Sequence, residues 1–157
     1  MKRIFLGSDH AGLAHKTEIM NRLKESGHEV VDCGAYEYNE QDDYPDFVSK
    51  VAHEVSQNPA NSIGIILGGS GQGEAMVANR FHKVRAAVFY GPKETVTGDH
   101  SMLELTRTHN DANVLSIGAR FITLEEAVDA VQKFLDTPFT GEERHVRRIA
   151  KIDHLHE

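Results

Sequence analysis

The feature that most constrains the fold is an apolar run that ends in a glycine-rich loop. Ile63 to Leu67 contains no polar residue, which predicts a strand buried on both faces, as in the centre of a parallel sheet. Four of the next six residues, 68–73, are glycine, and a helix-forming segment follows from Ala75. A buried strand, a glycine turn and a helix in this order indicate an α/β fold with its ligand site at the carboxyl ends of the strands.

Further apolar runs alternate with helical patterns along the chain. The predicted strands are Arg3 to Gly7, Glu29 to Cys33, Ile63 to Leu67, Arg85 to Tyr90 and Val114 to Ile117. Segments 47–55 and 124–135 each place apolar residues on one helical stripe, and Thr123 with Glu126 forms a capping box before the second. This alternation predicts a parallel sheet covered by helices on both faces.

Length, charge and cysteine content narrow the class of protein. A chain of 157 residues suits a single domain, 1–157. The net charge of −7 argues against a nucleic-acid partner, which needs basic surface, and no apolar run reaches the roughly 18 residues of a membrane helix. Cys33 is the only cysteine, whereas a small secreted scaffold would use paired cysteines, and the apolar stretch Ile4 to Leu6 is too short for a signal peptide. Both observations predict a cytoplasmic protein.

The glycine loop is the first candidate site. Residues 68–74, Gly-Gly-Ser-Gly-Gln-Gly-Glu, have neither dinucleotide-binding spacing nor the lysine of a P-loop, so they fit either an anion-binding nest or a tight turn. The number of glycines favours the nest. Glu74 would then be a base that removes a proton next to a carbonyl, while loop N–H groups hold the oxyanion. Ser70 either moves a proton or stabilises the turn.

Polar residues near other strand ends are further candidates. Asp9 and His10 follow the first strand, where they fit a substrate site but equally a helix cap and a surface histidine. His109 precedes the fifth strand, and its neighbour Asn110 favours an acid–base role over the structural role that most lone histidines have. Tyr44 is a weaker candidate for lining the pocket.

The C-terminal segment is the strongest basic cluster. Arg144 and Arg148 share one helix face, which is either a solvated surface or a phosphate clamp that can serve a neighbouring subunit. Three apolar residues lie on the opposite side of the helix, and we expect that side to be buried: Val146, Ile149 and Ala150.

Seven segments of the chain, taken together and in order, resemble the ribose/galactose isomerase family, in its branch of type B ribose-5-phosphate isomerases. The segments that carry the resemblance are 8–12, 43–45, 69–74, 78–80, 109–113, 118–120 and 144–148. The resemblance implies a Rossmann-like three-layer α/β/α sandwich with a five-stranded parallel sheet and a C-terminal helix that reaches to a partner subunit. It also implies a homodimer or dimer of dimers with interface sites, and neither a metal nor an organic cofactor.

The implied reaction is aldose–ketose isomerisation of ribose 5-phosphate and ribulose 5-phosphate through a cis-enediolate. In this resemblance Glu74 is the base and Ser70 assists, while His109 opens the sugar ring with Asp9 nearby. The residues expected to contact the substrate are Asp9, His10, Tyr44, Gly69, Ser70, Gly71, Gln72, Gly73, Asn110, Arg120, Arg144 and Arg148.

Two departures from the family pattern leave alternatives open. Gly68 stands where another branch carries a catalytic cysteine, so this chain resembles the branch with a glutamate after the loop. The segment from Tyr90 to Thr108, with a predicted loop or lid at Gly91 to Ser101, is longer than the family pattern, so four-carbon and six-carbon sugar phosphates remain candidate substrates. A non-catalytic phosphate- or nucleotide-sensing module is the alternative from another class, although a sensor needs no base.

Overall fold

The strands of the computed structural model, which describes residues 2–91 and 101–156, form one parallel sheet. In these ranges the strands are β1 (Arg3–Ser8), β2 (Val30–Asp32), β3 (Ser62–Gly68), β4 (Ala86–Phe89) and β5 (Val114–Gly118). Their order across the sheet is β2-β1-β3-β5-β4. Each predicted strand is confirmed, with ends that differ by one residue or less.

Helices follow the strands along the chain. Those described are α1 (Leu13–Glu25), α2 (Pro45–Gln57), α3 (Gln72–Ala78), α4 (Met102–Thr108), α5 (Leu124–Asp136) and α6 (Glu143–Asp153). The capping box is confirmed, because the Glu126 N–H donates to Thr123 Oγ1 at 3.3 Å and the Glu126 carboxylate accepts from the Thr123 N–H at 2.7 Å. Among the described helices, none combines the length and apolar character needed to cross a membrane.

Side chains of β3 alternate between two cores. Ile63, Ile65 and Leu67 pack in a core with apolar residues of α1, α4 and α5, whereas Ile66 packs in a second core with residues of α2 and α3. Successive side chains of a strand point to opposite faces of its sheet, so helices cover both faces. The predicted three-layer sandwich is therefore confirmed.

The topology brings three segments together at the carboxyl edge of the sheet. From β1 the chain passes to β2 on one side and later to β3 on the other, and such a switch point forms a crevice in an open α/β sheet. Ser8 pairs with Leu67 and Gly68 pairs with Gly118, so the segments after β1, β3 and β5 begin side by side.

Two regions differ from the predictions. The helix α4 lies in the segment 90–108 and was not predicted, and the expected loop over Gly91 to Ser101 falls on residues 92–100, outside the described ranges. The prediction of a buried apolar side on α6 was wrong: Val146 is 48% exposed and Ala150 is exposed. Of the α6 residues described, only His145 is buried, and Ile149, one turn later on the same side, is half-buried.

Candidate active site

The glycine loop lies between β3 and α3 and is fastened to β5. Gly71 has a left-handed φ of 73° and caps α3, and a left-handed residue followed by a helical one turns successive N–H groups to the same side. The Ser116 hydroxyl donates to the Gly71 carbonyl at 2.6 Å, and the Gly68 carbonyl accepts from the Ala119 N–H at 2.9 Å. These bonds hold the loop in one shape, and the left-handed Gly71 before a helical residue is a backbone pattern that anion nests use.

Ser70 takes part in the turn itself. Its hydroxyl oxygen accepts from the Gln72 N–H at 3.3 Å, which is the turn-stabilising role that the sequence left open. The Gln72 side-chain amide in turn donates to the Tyr90 hydroxyl. A hydroxyl that accepts one hydrogen bond keeps its own proton to donate, so Ser70 can stabilise the turn and still donate a proton to a substrate oxygen.

Glu74 lies in the first turn of α3 and its side chain folds back over the end of β3. Glu74 is only 4% exposed, and a Cβ added to Gly68 would lie 1.6 Å from Glu74 Oε1. A side chain at position 68 and the glutamate at position 74 therefore compete for the same space. This explains why Gly68 accompanies Glu74 in this chain: the carboxylate needs an empty position at the end of the strand.

Burial raises the pKa of the Glu74 carboxyl above its ordinary value. Desolvation is the largest cause, the negative charge of Asp9 adds to it, and a hydrogen bond from the Glu74 backbone N–H opposes both. A carboxylate with a raised pKa is a stronger base, as proton abstraction next to a carbonyl requires.

Asp9 and His10 lie opposite the glycine loop. Asp9 is buried and its Oδ1 accepts from the Ala11 N–H at 2.9 Å in the turn before α1, whose N-cap is Gly12, so Asp9 does not cap the helix. The His10 Nδ1 is 2.6 Å from Asp42 Oδ1, and the His10 backbone N–H donates to the same oxygen at 3.1 Å. The hydrogen bond to Asp42 is the main cause of a raised His10 pKa, and Asp9 adds to it while Arg120 opposes it.

Asp42 was missed at the sequence level. It lies 32 residues from His10 in a loop with no periodic pattern, and the only available signal was an acidic pair just before Tyr44. In the described ranges, Asp9, His10 and Asp42 also form the cluster whose possible metal-binding atoms lie within 4.8 Å of one another. The hydrogen bonds between His10 and Asp42 and the adjacency of Asp9 and His10 in the chain already account for that spacing, so the cluster gives no separate indication of a metal ion.

Tyr44 and Arg120 complete this side of the site. A Cβ added to Gly73 would lie 2.6 Å from the Tyr44 hydroxyl, and one added to Gly69 would lie 3.1 Å from Arg120 Nη1. Both side chains therefore pack directly on the loop, and a side chain at either glycine would have to displace them. We call the following set the loop group: Asp9, His10, Asp42, Tyr44, residues 68–74 and Arg120.

The remaining predicted residues form a second set. His109 ends α4, and its ring stacks on that of His145 with centroids 4.2 Å apart and an angle of 16° between the planes. Burial is the largest cause of a lowered His145 pKa, followed by the charges of His109 and Arg144. We call the following set the helix group: His109, Asn110, Arg144, His145 and Arg148.

The loop group and the helix group lie at opposite ends of β5. Arg120 follows the carboxyl end of that strand and Asn110 precedes its amino end, and a strand of this length spans roughly 16 Å. Within residues 2–91 and 101–156, no hydrogen bond, ion pair or ring contact joins the loop group to the helix group. A groove of about 950 Å³ along β4, lined by Gln72 at one end and Asn110 at the other, lies between them.

Comparison with known proteins identifies the family. A sequence model of the family described as Ribose/Galactose Isomerase matches residues 4–152. The chain is 40% identical to ribose-5-phosphate isomerase B of Mycobacterium tuberculosis, over 99% of this chain and 92% of that protein.

Solved structures with the same fold are also similar in sequence. The structure of ribose-5-phosphate isomerase B from Mycoplasma genitalium with bound ribulose-5-phosphate has a TM-score of 0.90 and 39% identity, over 98% of this chain and 95% of that chain. The corresponding protein of Thermotoga maritima has a TM-score of 0.85 and 41% identity, over 98% and 99% of the two chains. The chain therefore belongs to the ribose/galactose isomerase family.

Proposed function

We propose that this protein is an aldose–ketose isomerase that interconverts ribose 5-phosphate and ribulose 5-phosphate. The observation that carries the proposal is the buried Glu74 carboxylate, which lies against the start of the glycine loop at the end of β3. Proton abstraction next to a carbonyl needs a base and an oxyanion site at one place, and the loop group supplies both. The similarity to a ribulose-5-phosphate-bound protein supports this choice of substrate.

In the proposed mechanism one proton moves between neighbouring carbons. Glu74 takes the proton from C2 of the open-chain aldose, and the electron pair forms the C1–C2 double bond as O1 becomes an oxyanion. The N–H groups of residues 69–73 stabilise that charge. Ser70 passes a proton from O2 to O1, and Glu74 returns its proton to C1, which yields the ketose with no net gain or loss of protons.

The helix group of a second copy of the chain completes this site. His109 opens the furanose ring and Arg144 and Arg148 bind the phosphate, across the subunit interface of a homodimer or dimer of dimers. The separation of the two groups within one chain supports this arrangement. So does the exposure of large apolar side chains beside the groove: Met76 is 66% exposed, Ile152 44% and Leu155 80%.

The isomerase functions as one domain, 1–157, in the cytoplasm. The buried free thiol of Cys33 supports a reducing compartment, and burial raises its pKa to about 11, which makes the thiol a poor nucleophile. Cys33 is therefore not an alternative to Glu74 in catalysis.

Turnover of a panel of sugar phosphates tests this proposal. We expect conversion of ribose 5-phosphate to exceed that of allose 6-, galactose 6- and erythrulose 4-phosphate, and Glu74→Gln to lower kcat about 10²–10⁴-fold with the fold intact. Glu143→Gln, on the exposed surface of α6, is the matched control. Full activity of Glu74→Gln would disprove the mechanism. Preference for another sugar would keep the chemistry and change the substrate.

A further inference from the structure

We infer that Asp42 is a positioning residue, which fixes the ring of His10 and directs its Nε2–H toward the substrate. This inference rests on the proposed function, because it assigns His10 a role in binding the sugar phosphate. Asp42 touches no reacting atom in this account. It acts through His10 alone, and that makes its effect separable from that of the base Glu74.

A single carboxylate oxygen holds both the backbone and the ring of His10. Asp42 Oδ1 accepts from the His10 N–H at 3.1 Å and lies 2.6 Å from His10 Nδ1. Two bonds to one oxygen set the orientation of the residue as well as of its ring. The edge of Tyr38 packs against the ring with centroids 5.8 Å apart, which limits its rotation further.

The loop that carries Asp42 is itself anchored. Lys16 is 1% exposed, and its Nζ donates to Asp32 Oδ1 at 2.5 Å and to the Ala35 carbonyl at 2.7 Å. These bonds tie the beginning of the loop to α1 and the end of β2. Closer to the carboxylate, the Asp42 N–H donates to the Asn39 carbonyl at 3.0 Å.

The pairing decides where the His10 protons lie. A carboxylate accepts hydrogen bonds and cannot donate them when ionised, so Nδ1 carries a proton toward Asp42. The charged groups that face His10 are Asp42 and Asp9, which raise its pKa, and Arg120, which lowers it. When His10 is protonated, Nε2 is also a donor, and a positively charged donor suits a phosphate or a carbonyl oxygen.

Stability alone does not explain the burial of this carboxylate. The Asp42 side chain is 6% exposed, and in the described part of the chain its Oδ2 is buried without a hydrogen-bond partner. A buried acceptor without a partner is unfavourable, and a buried ion pair is often no more stable than a neutral replacement. We expect Asp42→Asn to fold, because the amide oxygen can still accept from the His10 N–H, with a melting temperature slightly below that of the wild-type protein at acidic pH, where charged His10 loses its paired carboxylate.

Nuclear magnetic resonance tests the pairing without measuring activity. The protein is labelled with ¹⁵N-histidine, and His10→Gln identifies the His10 signals among the ten histidines. We expect His10 to titrate at a lower pH in Asp42→Asn than in the wild-type protein. Glu40→Gln, which removes an exposed carboxylate from the same loop, is the control and should leave the titration unchanged. Identical titration in wild type and Asp42→Asn would overturn the inference.

Kinetics then test the role toward the substrate. We expect Asp42→Asn to raise KM for ribose 5-phosphate about tenfold with little change in kcat, because a charge-assisted hydrogen bond becomes a neutral one. The decline of kcat/KM at high pH should also begin at a lower pH. In a His10→Gln background, Asp42→Asn should add almost nothing, since the pair acts as a unit.

Each outcome separates the inference from the function on which it rests. Full additivity of the two substitutions, or an unchanged KM in Asp42→Asn while the wild-type enzyme is active, would overturn the positioning role and leave the isomerase intact. A wild-type protein that converts no sugar phosphate would disprove the proposed function. The role of Asp42 toward that substrate would then fail as well, even if the resonance experiment confirmed the pairing.

Discussion

In the loop group Asp9, Gly71 and Glu74 are buried and the loop is bonded to β5, whereas in the helix group only His145 is buried. Glu74 is 4% exposed at the end of β3, and the loop beside it is bonded to β5. Arg144 and Arg148 are exposed on α6, which contacts the rest of the chain through the stack of His145 on His109 and an ion pair of Asp153 with Arg85 at 3.5 Å. The fold of one chain thus completes the proton-transfer geometry, but it leaves the ring-opening and phosphate-binding residues uncovered.

Within this comparison, the largest effect is expected from a substitution that crowds the Glu74 carboxylate in the loop group. Gly68→Ala places a methyl group where the Glu74 carboxylate lies, 1.6 Å from Oε1, so the carboxylate must move. Misplacing a catalytic group by about 1 Å can lower the rate about 100-fold, and we expect a loss of that size in kcat.

Gly27→Ala is the control for this substitution, since that glycine has a φ of 83° and no atoms within 4 Å of an added Cβ. It should cost about 1 kcal/mol of stability and leave kcat unchanged. Steady-state kinetics and thermal unfolding of both variants provide the test. Wild-type kcat in Gly68→Ala would contradict the placement of Glu74.

A mixture of two inactive variants tests whether the groups of different chains share a site. Glu74→Gln damages the loop group and His109→Ala the helix group. In a mixed dimer with shared sites, one site carries both defects and the other carries none, so an equal mixture should recover about a quarter of wild-type activity.

Refolding the two variants together and measuring ribose 5-phosphate turnover checks this expectation. If each site were built from one chain, both sites of the mixed dimer would remain damaged and no activity would return. That result would contradict the shared site and would leave the separation of the two groups within a chain unexplained.

A smaller effect is expected from the exposed arginine. Arg148→Gln should raise KM about tenfold and change kcat little, because it removes one charged contact to the phosphate. The difference should shrink as salt is added, since exposed charges are screened. Arg147→Gln on the same helix is the control. Equal effects of the two substitutions would indicate a general charge effect instead of a phosphate clamp.

The smallest effect concerns stability and pH. Because burial raises the Glu74 pKa above its ordinary value of 4.5, the folded protein binds this proton more tightly than the unfolded chain does. This tighter proton binding stabilises the folded protein below pH 4.5, and the stabilisation is lost as the pH rises through the raised pKa of Glu74. Glu74→Gln should therefore gain melting temperature over wild type, and the gain should be larger at about pH 7 than at about pH 4. A gain that does not depend on pH would contradict the raised pKa.

Local patterns were sufficient for much of the fold and for the central loop. The strand Ser62–Gly68 was predicted within one residue, because its burial on both faces is visible in an unbroken apolar run. The helix α5 was recognised because its apolar stripe and its capping box are also local patterns. Prediction failed for α6: an apolar side was correctly seen, but whether it is covered depends on what lies next to it.

By itself, the sequence determined the parallel sheet, the glycine loop, the candidate base and the family, because hydrophobic periodicity and loop composition are local properties of the chain. Only the tertiary structure decided that Asp42 meets His10 across 32 residues and that Gly68 provides the space for Glu74. It also decided that His109 and Arg148 lie away from the loop group within one chain. Such relations depend on how distant segments approach each other in space, and local spacing along the chain carries no record of them.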